Sequence, residues 1–144
     1  MVAKSSATRP VVVLAVLRDI HNLGILVLRH ALEGAGFRVI NAGAMLSPEE
    51  IIAATIEAAG DAILISSSYG MAALDAAGFR GKCEEAGLKD ILLYIGGNLS
   101  VTQQSRPWPE VEAEFKELGF DGVYGPGTAP AGVIADLKRD LGIA

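Results

Sequence analysis

The chain has 144 residues, 51% of them hydrophobic, and a formal net charge of −5. That length suits one domain able to bury a sizeable core. With 12 Lys and Arg against 17 Asp and Glu and no basic cluster, a nucleic-acid or acidic-membrane partner is disfavoured, and no apolar run approaches the roughly 20 residues that span a bilayer. The single cysteine, Cys83, rules out an intramolecular disulfide and fits a reducing, cytoplasmic setting. Met1–Pro10 lacks the apolar stretch of a signal peptide and reads as a flexible lead-in to a single domain over 1–144.

Strand-like and helix-like segments then alternate. Val11–Leu17 is continuous and β-branched, as expected of a strand buried on both faces of a parallel sheet. Leu23–Ala35 reads as a helix with Leu23, Leu26, Val27, Ala31 and Gly34 on its inner face, stopped by Gly34 and Gly36. Arg38–Gly43 follows as a strand. Ser47-Pro48-Glu49-Glu50 then starts a helix to about Ala59, with a Ser cap, Pro in the first turn and acids at the positive end of the dipole.

Ala62–Ser67 is the third strand, with Ser68–Gly70 as its exit loop, and a helix of mixed polarity runs on to about Ala86. Cys83 falls in that polar stretch with no histidine near it, so it reads as an incidental thiol. Ile91–Ile95 forms the fourth strand and opens into Gly96-Gly97-Asn98, followed by a polar, irregular connection from Val101 to Pro107. Pro109–Leu118 is helical, because Val111, Phe115 and Leu118 recur at i, i+4 and i+7. Gly122–Tyr124, the turn Gly125-Pro126-Gly127-Thr128 and a helix from Pro130 to Leu141 complete the chain. Such alternation implies an α/β fold: a doubly wound, five-stranded parallel sheet of flavodoxin-like (Rossmann-like) order 2-1-3-4-5, whose ligand crevice opens at the carboxyl ends of the strands.

The loops at that end carry the polar and glycine-rich residues. Asp19-Ile20-His21-Asn22-Leu23-Gly24 follows the first strand. A ligating imidazole commonly donates its second N–H to a carboxylate, which makes His21 a candidate metal ligand steered by Asp19, with Gly24 leaving room for a bulky group. Equally, Asp19 could cap the next helix and His21 be an ordinary loop residue. Ser66, Ser67 and Ser68 can bond a ligand without bringing charge, or simply satisfy strand-end backbone. Gly96-Gly97 admits a flat ligand against main chain, or serves a tight turn.

P-loop and dinucleotide fingerprints are missing, as are the Cys/His pairs of a structural zinc site. His30, within the first helix, reads as a packed or supporting histidine. Apart from Asp19, His21 and Tyr69 the crevice loops carry almost no titratable groups, and Asp61, Asp90 and Asp121 precede strands at the opposite end. Such a site suits binding a large neutral ligand and suits acid–base chemistry poorly.

Asp19-x-His21-x-x-Gly24, a serine ending strand 3 and Gly96-Gly97 resemble, in that order, the signature of domains that bind cobalamin with its own base displaced. Further blocks (Ser66–Gly70, Lys82–Leu88, Tyr94–Asn98, Trp108–Glu112, Val123–Thr128 and Ile134–Lys138) resemble the small-subunit family of glutamate (methylaspartate) mutases, from Val11 to the C-terminus. The resemblance implies adenosylcobalamin as cofactor and His21 as the cobalt ligand, hydrogen-bonded by Asp19. The corrin would be lined by Arg18, Asp19, Ile20, His21 and Asn22. The nucleotide tail would pass Ser66, Ser67, Ser68 and Tyr69, beside Gly96, Gly97, Asn98, Leu99, Ser100, Val101 and Thr102.

It further implies a large TIM-barrel partner that binds glutamate, a heterotetramer of two small and two large chains, and no catalytic residue on this chain beyond the cobalt ligand. Arg18 stands where the family has a small polar residue and Ser68 where it has leucine. The stretch from Asn98 to Trp108 is about two residues longer than the family pattern. The nearest competing readings are the cobalamin subunit of an acyl-CoA mutase and a corrinoid carrier or sensor, which usually adds a helical capping domain that this length leaves no room for. A phosphoacceptor receiver would want an Asp where strand 3 ends in serines. A flavodoxin would want a Ser/Thr-rich phosphate loop after strand 1.

Overall fold

The structure, a computed structural model, describes residues 9–17, 23–67, 77–97, 107–125 and 128–143. Within them run β1 (Val11–Leu17), α1 (Leu23–Gly34), β2 (Arg38–Leu46), α2 (Pro48–Ala58), β3 (Ala62–Ser67), α3 (Phe79–Glu85), β4 (Leu92–Gly97), α4 (Trp108–Glu117), β5 (Gly122–Tyr124) and α5 (Pro130–Leu141). The strands form one parallel sheet in the order β2-β1-β3-β4-β5, the flavodoxin-like order expected from the sequence. No helix among the described residues is long and apolar enough to cross a membrane.

Both faces of the sheet are covered, which is why β1 reads as an unbroken apolar run: Val11 to Val16 are all buried. Alternate residues serve opposite layers. Ala15, Ile63, Ile65, Leu93, Ile95 and Val123 face Ile51 and Ile52 of α2, Phe79 and Cys83 of α3, and Val111 and Phe115 of α4. Val12, Leu14, Val16, Leu64 and Tyr94 face Leu28 and Leu32 of α1 and Val133 and Leu137 of α5.

Several expectations shift. The inner stripe of α1 is Leu28, Leu32 and Ala35, whereas Val27 is 55% exposed and Gly34 lies outside. Both stripes obey helical spacing, and the docking of α1 beside Phe37, Val39 and α5 selects between them. His30 is exposed as a result and not packed as expected. Cys83, expected on a polar stretch, is fully buried one turn after Phe79, and burial pushes its thiol up to about 11, Arg80 opposing and Glu84 adding to the rise. An inert thiol follows, in line with the expected absence of a nucleophile.

α2 starts as its sequence demands. The Ser47 hydroxyl accepts from the Glu50 N–H at 3.2 Å, and the Glu50 carboxylate accepts from the Ser47 N–H at 3.0 Å, a reciprocal cap. β2 runs on to Leu46 where Gly43 had seemed its end. Its register against β1 slips twice, from Leu14↔Asn41 to Ala15↔Gly43 and then to Leu17↔Leu46, so β2 carries two extra residues. The slips use Gly43 at φ +111° and Met45 at φ +58°. A non-glycine residue held in the left-handed region costs about 1–3 kcal/mol.

The amino ends of the strands are locked by carboxylates. Asp61 donates its N–H to the Val11 carbonyl at 2.8 Å and accepts the Val11 N–H on its side chain at 2.8 Å. Asp121 repeats this with Leu93, at 2.7 Å and 2.9 Å. Asp121 also accepts from Arg80, whose guanidinium donates to the Gly119 and Ile91 carbonyls as well. Asp61→Ala should therefore lower the unfolding free energy by about 1–3 kcal/mol, because the buried Val11 N–H loses its acceptor. Urea denaturation measures this, and an unchanged midpoint would count against the lock.

Candidate functional site

The register aligns the carboxyl ends of four strands. Val16 of β1 lies level with Ser66 of β3, Ser66 with Gly96 of β4, and Gly96 with Tyr124 of β5. One residue further, Ser67 is level with Gly97. The pair Gly96-Gly97 thus belongs to β4 itself, two residues beyond the strand end expected at Ile95. Gly97 leaves the strand at φ +115°, a conformation that L-residues rarely adopt. Gly96 lies beside Tyr124, and a Cβ there would stand in ordinary contact, 3.4 Å from the Tyr124 Cβ.

Leu17, Ser67 and Gly97 are the last described residues of three adjacent strands, β1, β3 and β4. Strands lie about 4.8 Å apart, so the roots of the three candidate loops fall within about 10 Å of one another. Of the expected site residues, Ser66, Ser67, Gly96 and Gly97 are brought together in this way, and Gly24 sits in the first turn of α1. Arg18, Asp19, Ile20, His21, Asn22, Ser68, Tyr69, Asn98, Leu99, Ser100, Val101 and Thr102 lie outside the described residues. Among the described residues no group of three or more His, Cys, Asp or Glu could hold a metal ion.

Beneath the strand ends, on the sheet face that α5 covers, β4 and β5 are tied to that helix by residues that sequence reasoning missed. The Tyr124 hydroxyl donates to Asp136 at 2.7 Å, and the Tyr94 hydroxyl donates to Asp140. The two rings stack obliquely with centroids 5.6 Å apart. Gly122 makes room for them: a Cβ there would meet both rings at 2.9–3.0 Å. The available signal was the i, i+4 spacing of Asp136 and Asp140 beside the buried Val133 and Leu137 of α5. Beyond β5, the Trp108 ring lies over Gly125, and Thr128 closes the turn by donating its hydroxyl to the Gly125 carbonyl at 2.8 Å.

Burial pushes both tyrosine hydroxyls far above their ordinary value, and the hydrogen bonds to carboxylates act in the same direction. Partial burial alone would raise Asp140, but the bonds from Tyr94 and Arg139, with the guanidinium charge, outweigh it and hold the carboxyl low. At the strand ends themselves the described residues offer Ser66 and the main chain of Ser67, Gly96 and Gly97.

A doubly wound parallel sheet with a polar, glycine-rich carboxyl end defines an α/β binding domain of the kind that places its ligand at the strand ends. Residues 9–135 match the B12 binding domain. The glutamate mutase sigma subunit of Clostridium cochlearium is 54% identical over 126 residues, covering 87% of this chain and 90% of that one. Its counterpart from Clostridium tetani (strain Massachusetts / E88) is 51% identical with the same coverage. Among solved structures, a cobalamin-binding protein from Desulfitobacterium hafniense DCB-2 matches with a TM-score of 0.73 at 22% identity, a likeness of fold. The match covers 92% of this chain and 59% of that longer one. The chain belongs to the B12-binding domain family, in its branch of glutamate mutase sigma subunits.

The tyrosine–carboxylate pairs predict a two-sided pH profile. Raised tyrosines contribute stability that is full below their ordinary 10.0 and is lost as pH climbs through their folded values. Asp140, held low, contributes stability present above its ordinary 3.8 and lost as pH falls through its folded value. Thermal unfolding across pH should show Tyr94→Phe/Tyr124→Phe flattening the alkaline limb and Asp140→Asn the acid limb. Identical profiles for all three proteins would refute the assignment.

Proposed function

We propose that this chain is the cobalamin-binding subunit of an adenosylcobalamin-dependent glutamate mutase, which interconverts L-glutamate and L-threo-3-methylaspartate. One observation carries the reading. The register of β1, β3 and β4 brings the root of the Asp19/His21 loop beside Ser66-Ser67 and Gly96-Gly97, the three parts of the cobalamin signature. The sequence separates them by some 75 residues between His21 and Gly96, and the fold draws their roots together.

The residues present fit that cofactor. The strand ends are uncharged, and Gly97 keeps main chain clear where a nucleotide tail would lie. Bound adenosylcobalamin supplies the radical chemistry of a carbon-skeleton rearrangement. His21 would hold cobalt through one ring nitrogen, and Asp19 would accept the N–H of the other, fixing the tautomer and raising the ligand's basicity. Arg18, Ile20 and Asn22 would line the corrin, with Gly24 giving it clearance. Ser66, Ser67, Ser68 and Tyr69 would bond the displaced tail, and Gly96 to Thr102 would flank it.

In this reading residues 1–144 act as one cofactor-binding domain with Met1–Pro10 as its lead-in, working in the cytoplasm. A large TIM-barrel subunit binds the substrate, in an assembly of two small and two large chains. Family membership and the sigma-subunit relatives support a partner, and the lack of acid–base groups at the described crevice supports a division of labour in which substrate chemistry lies elsewhere.

Titration with adenosylcobalamin tests the reading. Wild type should bind it with the cofactor's base displaced and His21 on cobalt. Asp19→Asn should weaken binding roughly 10–100-fold. EPR of the reduced Co(II) form should show superhyperfine splitting from one protein nitrogen, lost in His21→Gly. Splitting that persists in the variant would exclude His21 as the ligand.

A further inference from the structure

Met45 and Ala59 are the non-glycine residues with positive φ among the described residues, and Ala59 ends α2 as a left-handed C-cap. Met45, at φ +58°, caps no helix. Its side chain is 60% exposed, so packing of the thioether does not hold it in that conformation. The chain on either side does. Upstream, Gly43 pairs with Ala15 and donates its N–H to the Asn41 side chain at 3.0 Å. Downstream, Leu46 packs against the cluster that holds Ile51 and Ile52, and leads straight into the reciprocal cap of Ser47 and Glu50. Between these fixed points, Gly43 and Leu46, β2 advances three residues while β1 advances two, from Ala15 to Leu17. The surplus residue must turn aside, and it does so at Met45.

The faces of the strand record that turn. Ala44 packs on the α1 and α5 layer, whereas Leu46, two residues on, packs on the α2 layer. A regular strand would keep both on one face. An unslipped ladder continuing from Ala15↔Gly43 would set Met45 against Leu17 and send Leu46 to the wrong side of the sheet.

Strain that the surrounding structure over-determines gathers at functional sites, and bulges cluster beside them. The position of this one bears on the site. On the β3 side the pairs of β1 run as far as Val16↔Ser66. On the β2 side they run one residue further, to Leu17↔Leu46. Leu17 is the last described residue before the Asp19/His21 loop. The pair that reaches the root of that loop is therefore the one that closes the second slip.

We infer that Met45 is a positioning residue for the loop that carries His21: its left-handed backbone brings Leu46 level with Leu17, and that pair sets where the loop leaves the sheet. The backbone acts and the thioether does not. That the loop holds cobalt rests on the function proposed above.

Substitutions at Met45 separate backbone from side chain, because glycine suits φ +58° and a β-branched residue does not. Met45→Gly, the conservative change for this backbone, should retain the pairing and the affinity for adenosylcobalamin. Met45→Val should weaken binding about tenfold, the low end for a group that orients a metal ligand. At saturating cofactor its reduced Co(II) form should show diminished superhyperfine splitting from the protein nitrogen. Phe115→Leu, which loosens the buried contact of α4 with Phe120, should lower the thermal midpoint and leave affinity and splitting unchanged. Gly43→Ala, where a Cβ would meet nothing within 4 Å and only the backbone is penalised, repeats the test if Met45→Val does not fold. Wild-type affinity and splitting in the strained variant would overturn the inference, as would an equal loss in Met45→Gly or in Phe115→Leu. Amide exchange at Leu17 and Leu46 in the cofactor-free chain should quicken in Met45→Val and hold in Met45→Gly, and equal rates in the two would also overturn it. That readout judges the positioning by itself if wild type binds no cobalamin, a result that would sink the proposed function.

Discussion

A parallel sheet buried on both faces has no room for polar chemistry along its strands, so whatever the molecule recognises must be met where the strands stop. Every structural feature of this chain follows from that constraint. β1 is apolar from Val11 to Val16 because a helix covers each side of it. On its β3 side the first polar neighbours are Asp61 at one end and Ser66 at the other. The two ends have divided the work. Carboxylates and Arg80 tie strands together at the amino end, and uncharged groups gather at the carboxyl end.

Rigidity at the locked end matters to the open one. With a handful of kcal/mol as the usual net stability of a domain, hydrogen bonds of about 1 kcal/mol each are enough to fix register only if they are buried and doubled. Asp61 is both, and Asp121, although exposed, is doubled in the same way and further held by Arg80: each engages the backbone of its neighbour strand twice. A slip of one residue between β1 and β3 would break such a pair and also carry Ser66 away from Val16. On the β5 side the tyrosine hydroxyls held by Asp136 and Asp140 act likewise, pinning α5 to the sheet and setting the wall against which Gly96 packs.

Much of this was legible from the chain alone, and the exceptions have physical causes. Strand order followed from alternation of element types, and the α2 cap from Ser47, Pro48 and Glu50, because those features depend on neighbours in sequence. The inner face of α1 did not, since Val27 and Leu28 both lie on valid helical stripes and only α5 and Phe37 distinguish them. Apolar pattern ended β4 at Ile95, yet backbone pairing continues through two glycines that have no side chain to signal it. The bulges of β2 are set by pairing with β1, which nothing local reveals. Cys83 looked polar in context because its neighbours Lys82 and Glu84 point elsewhere on the same helix. As for the site, Ser66, Ser67, Gly96 and Gly97 meet as the sequence suggested, whereas the Asp19/His21 loop lies outside the described residues, and only its root at Leu17 is placed.

Where the perturbed ionisable groups sit in the fold bears on how such a chain can contribute to catalysis. A general acid or base needs a pKa near the working pH and a place beside the reacting atoms. Tyr94, Tyr124 and Asp140 meet neither condition: the tyrosines are pushed up and Asp140 is held low, on the sheet face that α5 covers. Perturbation of this kind stiffens a wall and does not prepare a proton donor. If cobalamin carries the radical step, what the chain must supply is binding and orientation, and the difficult chemistry belongs to the cofactor. His21, on the proposed reading, would then contribute as a ligand to cobalt, with Asp19 setting the tautomer and basicity of its imidazole.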